Sequence, residues 1–350
     1  MVKPMSHPNQ VSVRTDAAGR VVAAAGPGLV DLQVNGYAGL SFNGDLADLT
    51  PEAVVAVCGR LRRRGTVAIL ATLTTDDVDA MLARAKRLAD LRAADASVAA
   101  MIAGLHVEGP MLNPAEGPRG AHRAERIIAP ADRPEIVEEF QRASGGMVRI
   151  FTLAPEGPGA MALIASASAA GVTVALGHHE ADAQCLADAV AAGARMCTHL
   201  GNGSHATLPR LDNYIQRQLA DDRLAASFIA DGHHIPFPTL KNFLRAKGVS
   251  RSVLVTDAIL AADMPPGEYD SGERRRRLDA DGAVRLTGTP YLAGSALTGD
   301  RGVLNVAAHC GVSFEDAWAM ASTRPAELVG LPAPEPIEVD VTDDGFRLRE

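Results

Sequence analysis

Short apolar runs rich in β-branched residues recur along most of the chain. They cover Leu29 to Val34, Val67 to Leu73, Ile102 to Val107, Val148 to Leu153, Val172 to Leu176, Arg195 to Leu200, Ala225 to Ala230 and Val253 to Thr256. Each is about strand length. Between them, polar and apolar positions take helical spacing, most clearly over Pro51 to Arg64, Asp76 to Ala94 and Glu180 to Ala192. In the last of these, Leu186, Ala189 and Val190 share one face. Thr50-Pro51-Glu52 reads as a helix start, with Thr as N-cap and Pro in the first turn. Gly65, Gly171 and Gly193 stand where a helix stops before the next strand.

Strand then helix, eight times over, predicts a parallel sheet. Eight units over roughly 230 residues suit a (β/α)8 TIM-like barrel, an α/β fold of about 250 residues. A doubly wound open sheet is the alternative. The flanks differ: Val11 to Ala24 alternates around Asp16-Ala17-Ala18-Gly19, and Ala283 to Leu286 and Ile337 to Leu348 also read as hairpins. The two ends are expected to meet in a small β-sandwich layer, giving residues 1–28 and 326–350 to that layer and 29–325 to the barrel. Pro265-Pro266-Gly267 opens a polar segment expected to loop over the barrel mouth.

Composition adds exclusions. Apolar residues are 47% and charged residues 22% of the 350, enough for a large core and too apolar for disorder. The net charge of −8 argues against nucleic acid, which needs a basic face. The one basic run, Arg274 to Arg277, is short and reads as an exposed hairpin or loop. Cys58, Cys185, Cys197 and Cys310 form no CxxC pair and suit a reducing compartment. The first residues, MVKPMSHPNQ, hold no apolar leader, and no run is long enough to span a bilayer. These features predict a cytoplasmic protein that acts on a small molecule, away from membranes.

Catalytic groups of a barrel gather at the C-terminal ends of its strands. Glu108 follows the third run, His178 the fifth, and His199 ends the sixth. Asp231, His233 and His234 follow the seventh, and Asp257 ends the eighth. Two imidazoles and a carboxylate make a recurrent hydrolytic metal site with an open position. An ion there would activate water and polarise a carbonyl, and Asp257 beside it could carry the proton. Taken singly, each residue has a plainer reading as a turn cap or hydrogen-bonded surface group; their joint placement at strand ends is what points to chemistry. His179 and His233 neighbour better candidates and should face away, since adjacent strand residues point to opposite faces. His106 shares the face of Glu108 and reads as core or as a partner of the site. Cys197 reads as a packed thiol.

These segments resemble the N-acetylglucosamine-6-phosphate deacetylase family of the amidohydrolase superfamily. The likeness runs from about Pro27 to Leu331 through VDLQVNGYAGLSFN, GLHVEGPMLNPAEGPRGAH, LGHHEAD, AGARMCTHLGN, IADGHHI, LVTDA, LAGSALT and ASTRPAELVGL. Each is weak alone, but their order and spacing are specific. The resemblance implies that Glu108, His178 and His199 bind one divalent metal. Zn2+ is first choice, with Fe2+, Mn2+, Co2+ or Ni2+ possible. It implies Asp257 as the proton-transfer residue and His122 near the substrate carbonyl or sugar. It also implies a substrate-binding set of His122, Asn202, the Gly203 backbone, Arg210 and His234. The family's phosphate-binding Arg reaches a neighbouring subunit's site, so a homodimer is implied. Many superfamily members carry HxH at the first strand for a second metal; here Gln33-Val34-Asn35 implies one ion only.

The segment LGNGSHATLPRLDN (200–213) departs from the family text, as does the His-Glu after His178. The implied activity is release of acetate from N-acetylglucosamine-6-phosphate. A different N-acyl amino sugar, or another amide lacking the 6-phosphate, is the alternative. A catalytically dead sugar-phosphate sensor is a third reading, disfavoured by retention of all four acid and imidazole groups; a scaffold is disfavoured more strongly.

Overall fold

The computed structural model describes residues 10–270, 275–289 and 292–349. The first nine residues and Arg274, both used above, lie outside them. Eight parallel strands form the central sheet: β1 (Leu29–Val34), β2 (Thr66–Thr74), β3 (Ile102–Glu108), β4 (Val148–Leu153), β5 (Thr173–Leu176), β6 (Ala194–Cys197), β7 (Ala225–Ile229) and β8 (Ser252–Val255). Each is bonded to the next in chain order, from β1 to β8. A single parallel bridge, Val34 to Ala258, carries β1 to the end of β8 and brings the sheet round into a barrel. The open-sheet alternative is thereby excluded.

Local chemistry sets the helices as expected. Thr50 caps helix Pro51–Arg63 by accepting from the Ala53 amide, and Asp77 and Asp182 cap Val78–Ala94 and Ala183–Ala192. Their apolar faces pack on the outside of the sheet, with Val54, Val57, Leu61, Met81, Leu88 and Leu186 buried. A second cluster fills the barrel: Val30, Leu32, Leu70, Ile150, Ala175, Met196, Ile229, Val253 and Val255, sealed by Leu297, Ala326 and Val329. Nearer the C-terminal end this filling turns polar. His106 Nδ1–H donates to the Leu32 carbonyl (2.9 Å), its Nε2 accepts from the Thr152 hydroxyl (2.7 Å), and Thr152 meets Thr198 at 2.7 Å. His106 is therefore a neutral imidazole in the floor beneath the mouth, and burial pushes it down to about 4.

The chain ends meet in one four-stranded antiparallel sheet, ordered Ser12–Thr15, Val21–Pro27, Pro336–Thr342, Gly345–Leu348. Helices, not a second sheet, cover it: Phe346 stacks on Trp318 at 5.0 Å, and Trp318 Nε1 donates to the Pro27 carbonyl (2.7 Å). The polar segment after Pro265 is more than a loop. Gly267–Asp270, Arg275–Leu278 and Val284–Leu286 form a three-stranded sheet, and the Asp281 carbonyl at its turn accepts from His233 Nε2 at 3.0 Å.

Candidate active site

Four strand ends deliver the acid and imidazole groups to one place. Glu108 is the last residue of β3. Gly109 follows at φ 80°, where a Cβ would lie 2.2 Å from Thr75 Oγ1, so only glycine can make that turn. His178, His199 and Asp257 each lie two residues past β5, β6 and β8, at φ 56°, 29° and 50°. Among the described residues only five non-glycines have positive φ, and these are three of them. Left-handed backbone costs an L-residue about 1–2 kcal/mol and persists where the surroundings enforce it. Here it ends each strand and breaks the alternation of side chains.

The result is a buried focus. Glu108 Oε1 is 2.8 Å from His199 Nε2 and 3.3 Å from His178 Nε2, and the two imidazole nitrogens are 3.1 Å apart. His178 Nδ1–H donates to the Pro118 carbonyl (2.8 Å), which fixes the tautomer and turns the Nε2 lone pair inward. Burial works to raise the Glu108 carboxyl, but the hydrogen bonds from His178 and His199 hold it well below the usual range. Burial opposes protonation of His199, yet its bond to Glu108 raises it. Three donors sharing a centre at about 2.0–2.1 Å in tetrahedral array would stand roughly 3.3 Å apart. The observed separations approach that value. The donor set therefore fits a divalent ion.

Asp257 stands beside this focus. Its Oδ1 accepts from the Asn35 amide at 2.6 Å. Burial, and then the nearby charge of Glu108, push its carboxyl up to about 6. Gln33 Nε2 donates to Glu108 Oε1 at 3.1 Å. The place of a second metal pair is thus taken by two amides, each bonded to one of the site's carboxylates. Gln33 Oε1, Asn35 Oδ1 and His199 Nδ1 are buried without a hydrogen-bond partner.

The remaining predicted residues line the surroundings unevenly. His122 Nε2 lies 3.3 Å from His178 Nε2, at the focus itself. Gly203, at φ 56°, runs so close to the His178 ring that a Cβ would fall 2.5 Å from Nδ1. The Asn202 amide donates to the His199 carbonyl (3.0 Å), within its own turn. His234 is held by Asp231, whose Oδ2 accepts from Nδ1 at 2.6 Å and whose Oδ1 accepts the backbone N–H groups of His233 and His234. His179 is buried against Tyr214, and His205 meets the same Tyr214 hydroxyl. Arg210 is exposed in an exposed stretch that includes Leu211 at 81%.

Sequence reading passed over Gln33, Asn35 and Asp231 as partners of the carboxylates and of His234. The alternating Asp31, Gln33 and Asn35, polar groups inside an otherwise apolar run, were the available signal. It also passed over Glu156, whose Oε1 takes the Asn113 side-chain amide and the Glu180 N–H, both at 2.8 Å, tying the His122 loop to the His178 turn.

A parallel barrel with a carboxylate and two imidazoles meeting at its mouth, beside a buried aspartate, defines the metal-dependent hydrolases of the amidohydrolase type. The sequence profile of the Amidohydrolase family matches residues 25–334. The N-acetylglucosamine-6-phosphate deacetylase of Lysinibacillus sphaericus is 32% identical over 87% of this chain and 76% of its own length. The N-acetylgalactosamine-6-phosphate deacetylase of Shewanella sp. (strain ANA-3) is 33% identical over 87% and 74%. A Mycobacterium smegmatis N-acetyl-D-glucosamine-6-phosphate deacetylase, an aspartate-to-alanine mutant solved with N-acetyl-D-glucosamine-6-phosphate, superposes with a TM-score of 0.81. It is 29% identical, covering 93% of this chain and 90% of that one. The chain belongs to the amidohydrolase family, and within it to the N-acetylglucosamine-6-phosphate deacetylases.

Proposed function

We propose that this protein hydrolyses the acetamide of N-acetylglucosamine-6-phosphate, giving glucosamine-6-phosphate and acetate. The observation that carries the reading is the convergence of Glu108, His178 and His199 within 3.3 Å of one another, beside the buried Asp257. Glu108, His178 and His199 would hold one divalent ion, zinc by preference for a two-imidazole, one-carboxylate set. Bound there, the ion supplies Lewis acidity to a water and to the amide carbonyl. Asp257 takes a proton from that water as its oxygen adds to the carbonyl carbon. His122, at the focus, donates to the oxygen on which charge develops. Asp257 then returns the proton to the amine nitrogen as the C–N bond breaks, leaving acetate and the free amine. Asn35 holds Asp257 Oδ1 in place throughout.

His234, Asn202 and the Gly203 N–H line the approach and would bind the sugar phosphate. Arg210, exposed, would complete that pocket in a second copy, so the working form would be a homodimer. Among the described residues no helix is long and apolar enough to cross a membrane. The free cysteines suit the cytoplasm.

Acetate release should be measured after defined metal loading on N-acetylglucosamine-6-phosphate, its galacto epimer and both unphosphorylated sugars. Turnover of the gluco 6-phosphate above the rest supports the reading. The departure at 200–213 motivates a second one, an N-acyl amino sugar without the phosphate. Equal or faster turnover of the unphosphorylated sugar would replace the first reading with the second.

A further inference from the structure

The barrel closes at the seam between β1 and β8 without a strand ladder. Among the described residues the backbone contact there is confined to one point, the Val34–Ala258 bridge with the Asn35 and Gly36 N–H groups both donating to the Ala258 carbonyl. The pairing of β1 with β2 shifts register between Asp31 and Val34. A buried carboxylate takes over. Asp31, 6% exposed, accepts from the Gln33 N–H at 3.1 Å and from the Thr256 N–H at 3.2 and 3.3 Å to its two oxygens. The Thr256 hydroxyl donates to Asp31 Oδ2 at 2.6 Å and accepts from the Ala258 N–H at 3.1 Å.

Each of these donors is one step from the chemistry. The Gln33 side chain donates to Glu108, and Thr256 precedes Asp257. The Asn35 N–H donates to the Ala258 carbonyl at 2.7 Å, and its side chain reaches Asp257. A left-handed residue such as Asp257 stays put only where its neighbours over-determine it. Here Thr256 and Ala258 are both tied to β1. Either ionisation state of Asp31 keeps an oxygen to accept the Thr256 hydroxyl.

We infer that Asp31 and Thr256 are positioning residues: a clasp across the seam that fixes the separation between the ion-holding Glu108 and the proton-carrying Asp257. The inference rests on the role proposed for Asp257. Misplacing a reacting group by about an ångström costs on the order of a hundredfold in rate. The clasp therefore acts on turnover, while the sugar pocket, built from other strands, is left alone.

The test compares Thr256→Val, which keeps the volume and removes the hydroxyl, with Thr256→Ser, which keeps the hydroxyl, and with Asp31→Asn. Thr256→Val and Asp31→Asn should lower kcat about tenfold or more with KM changed by less than about twofold, and Thr256→Ser should stay near wild type. In a crystal structure of Thr256→Val, Asn35 Nδ2 and Asp257 Oδ1 should have parted beyond hydrogen-bond reach. Wild-type kcat in Thr256→Val, equal damage in Thr256→Ser, or an unaltered Asn35–Asp257 contact would each overturn the clasp. If Asp31→Asn does not fold, the two Thr256 variants decide. If the wild type releases no acetate from any N-acyl amino sugar, the functional reading fails, and the Asn35–Asp257 geometry still decides the clasp.

Discussion

Asp257 is held between opposing influences. Burial and the charge of Glu108 push it up to about 6, while the Asn35 amide and nearby imidazoles pull it down. It must be ionised to take a proton, so activity falls as pH drops through its titration. A bound cation favours the ionised form, which places the acidic limb of kcat/KM below about 6. Asp257→Asn should retain one equivalent of metal, lose activity by orders of magnitude and abolish that limb; steady-state acetate release with metal analysis checks all three. His106 behaves in the opposite sense. Unfolded, it takes a proton near its ordinary 6.5; folded, burial resists protonation until about 4. Its contribution is present above 6.5 and lost as pH falls toward 4. The total is about 3 kcal/mol at the full shift. Urea unfolding of the metal-free protein at pH 7 and 5 should show about 2 kcal/mol of that loss, and His106→Gln should reduce it. The acids and imidazoles were legible because they interrupt apolar runs. The roles of Gln33, Asn35 and Asp231 as their partners were not, because a polar group at a strand end, though visible in the sequence, does not say which carboxylate or imidazole it will meet.

Elements were read well wherever one face is buried. The helix starts at Thr50 and the stop at Gly65 follow from side-chain capping and left-handed backbone, both local in sequence. Strand ends were read less well. The run expected to reach Leu200 stops at Cys197, because His199 adopts φ 29° and leaves extended geometry. Its apolar neighbours conceal the break. The segment opened by Pro265 was expected to loop over the mouth, with hairpin character read at Ala283 to Leu286 and a hairpin or loop at Arg274 to Arg277. That the described strands join as one three-stranded sheet was not read, since Arg275–Leu278 is nearly all arginine and mostly solvated, giving no apolar alternation to detect. The turn at Gly203 carries its own prediction. A methyl there would meet His178 Nδ1 at 2.5 Å and push the ring off the Pro118 carbonyl. Gly203→Ala should weaken metal binding by about ten- to a hundredfold, the usual effect of losing a ligand's hydrogen-bond support. Calorimetric titration of the metal-free protein measures it; unchanged affinity would show that the ring has room to move.

At the scale of the whole molecule, the proposal that Arg210 completes the sugar-phosphate pocket of a second copy carries its own test. Arg210 should raise KM for the 6-phosphate about tenfold or more when changed to Ala, and leave the unphosphorylated sugar unaffected. Mixing Arg210→Ala with Asp257→Asn should restore activity in the hybrid dimer, and sedimentation should give a dimer for each variant. Both expectations come from the family resemblance, since composition and periodicity describe one chain at a time.

The sheet that joins Val21–Pro27 to Pro336–Thr342 has a consequence for folding. Val21–Pro27 pairs with Pro336–Thr342, so this edge is closed only by a contact between segments about 300 residues apart in sequence. Until that contact forms, this edge of Val21–Pro27 is open to any passing extended peptide. Closing this sheet is therefore slower than pairing the barrel strands, each of which bonds to the next along the chain.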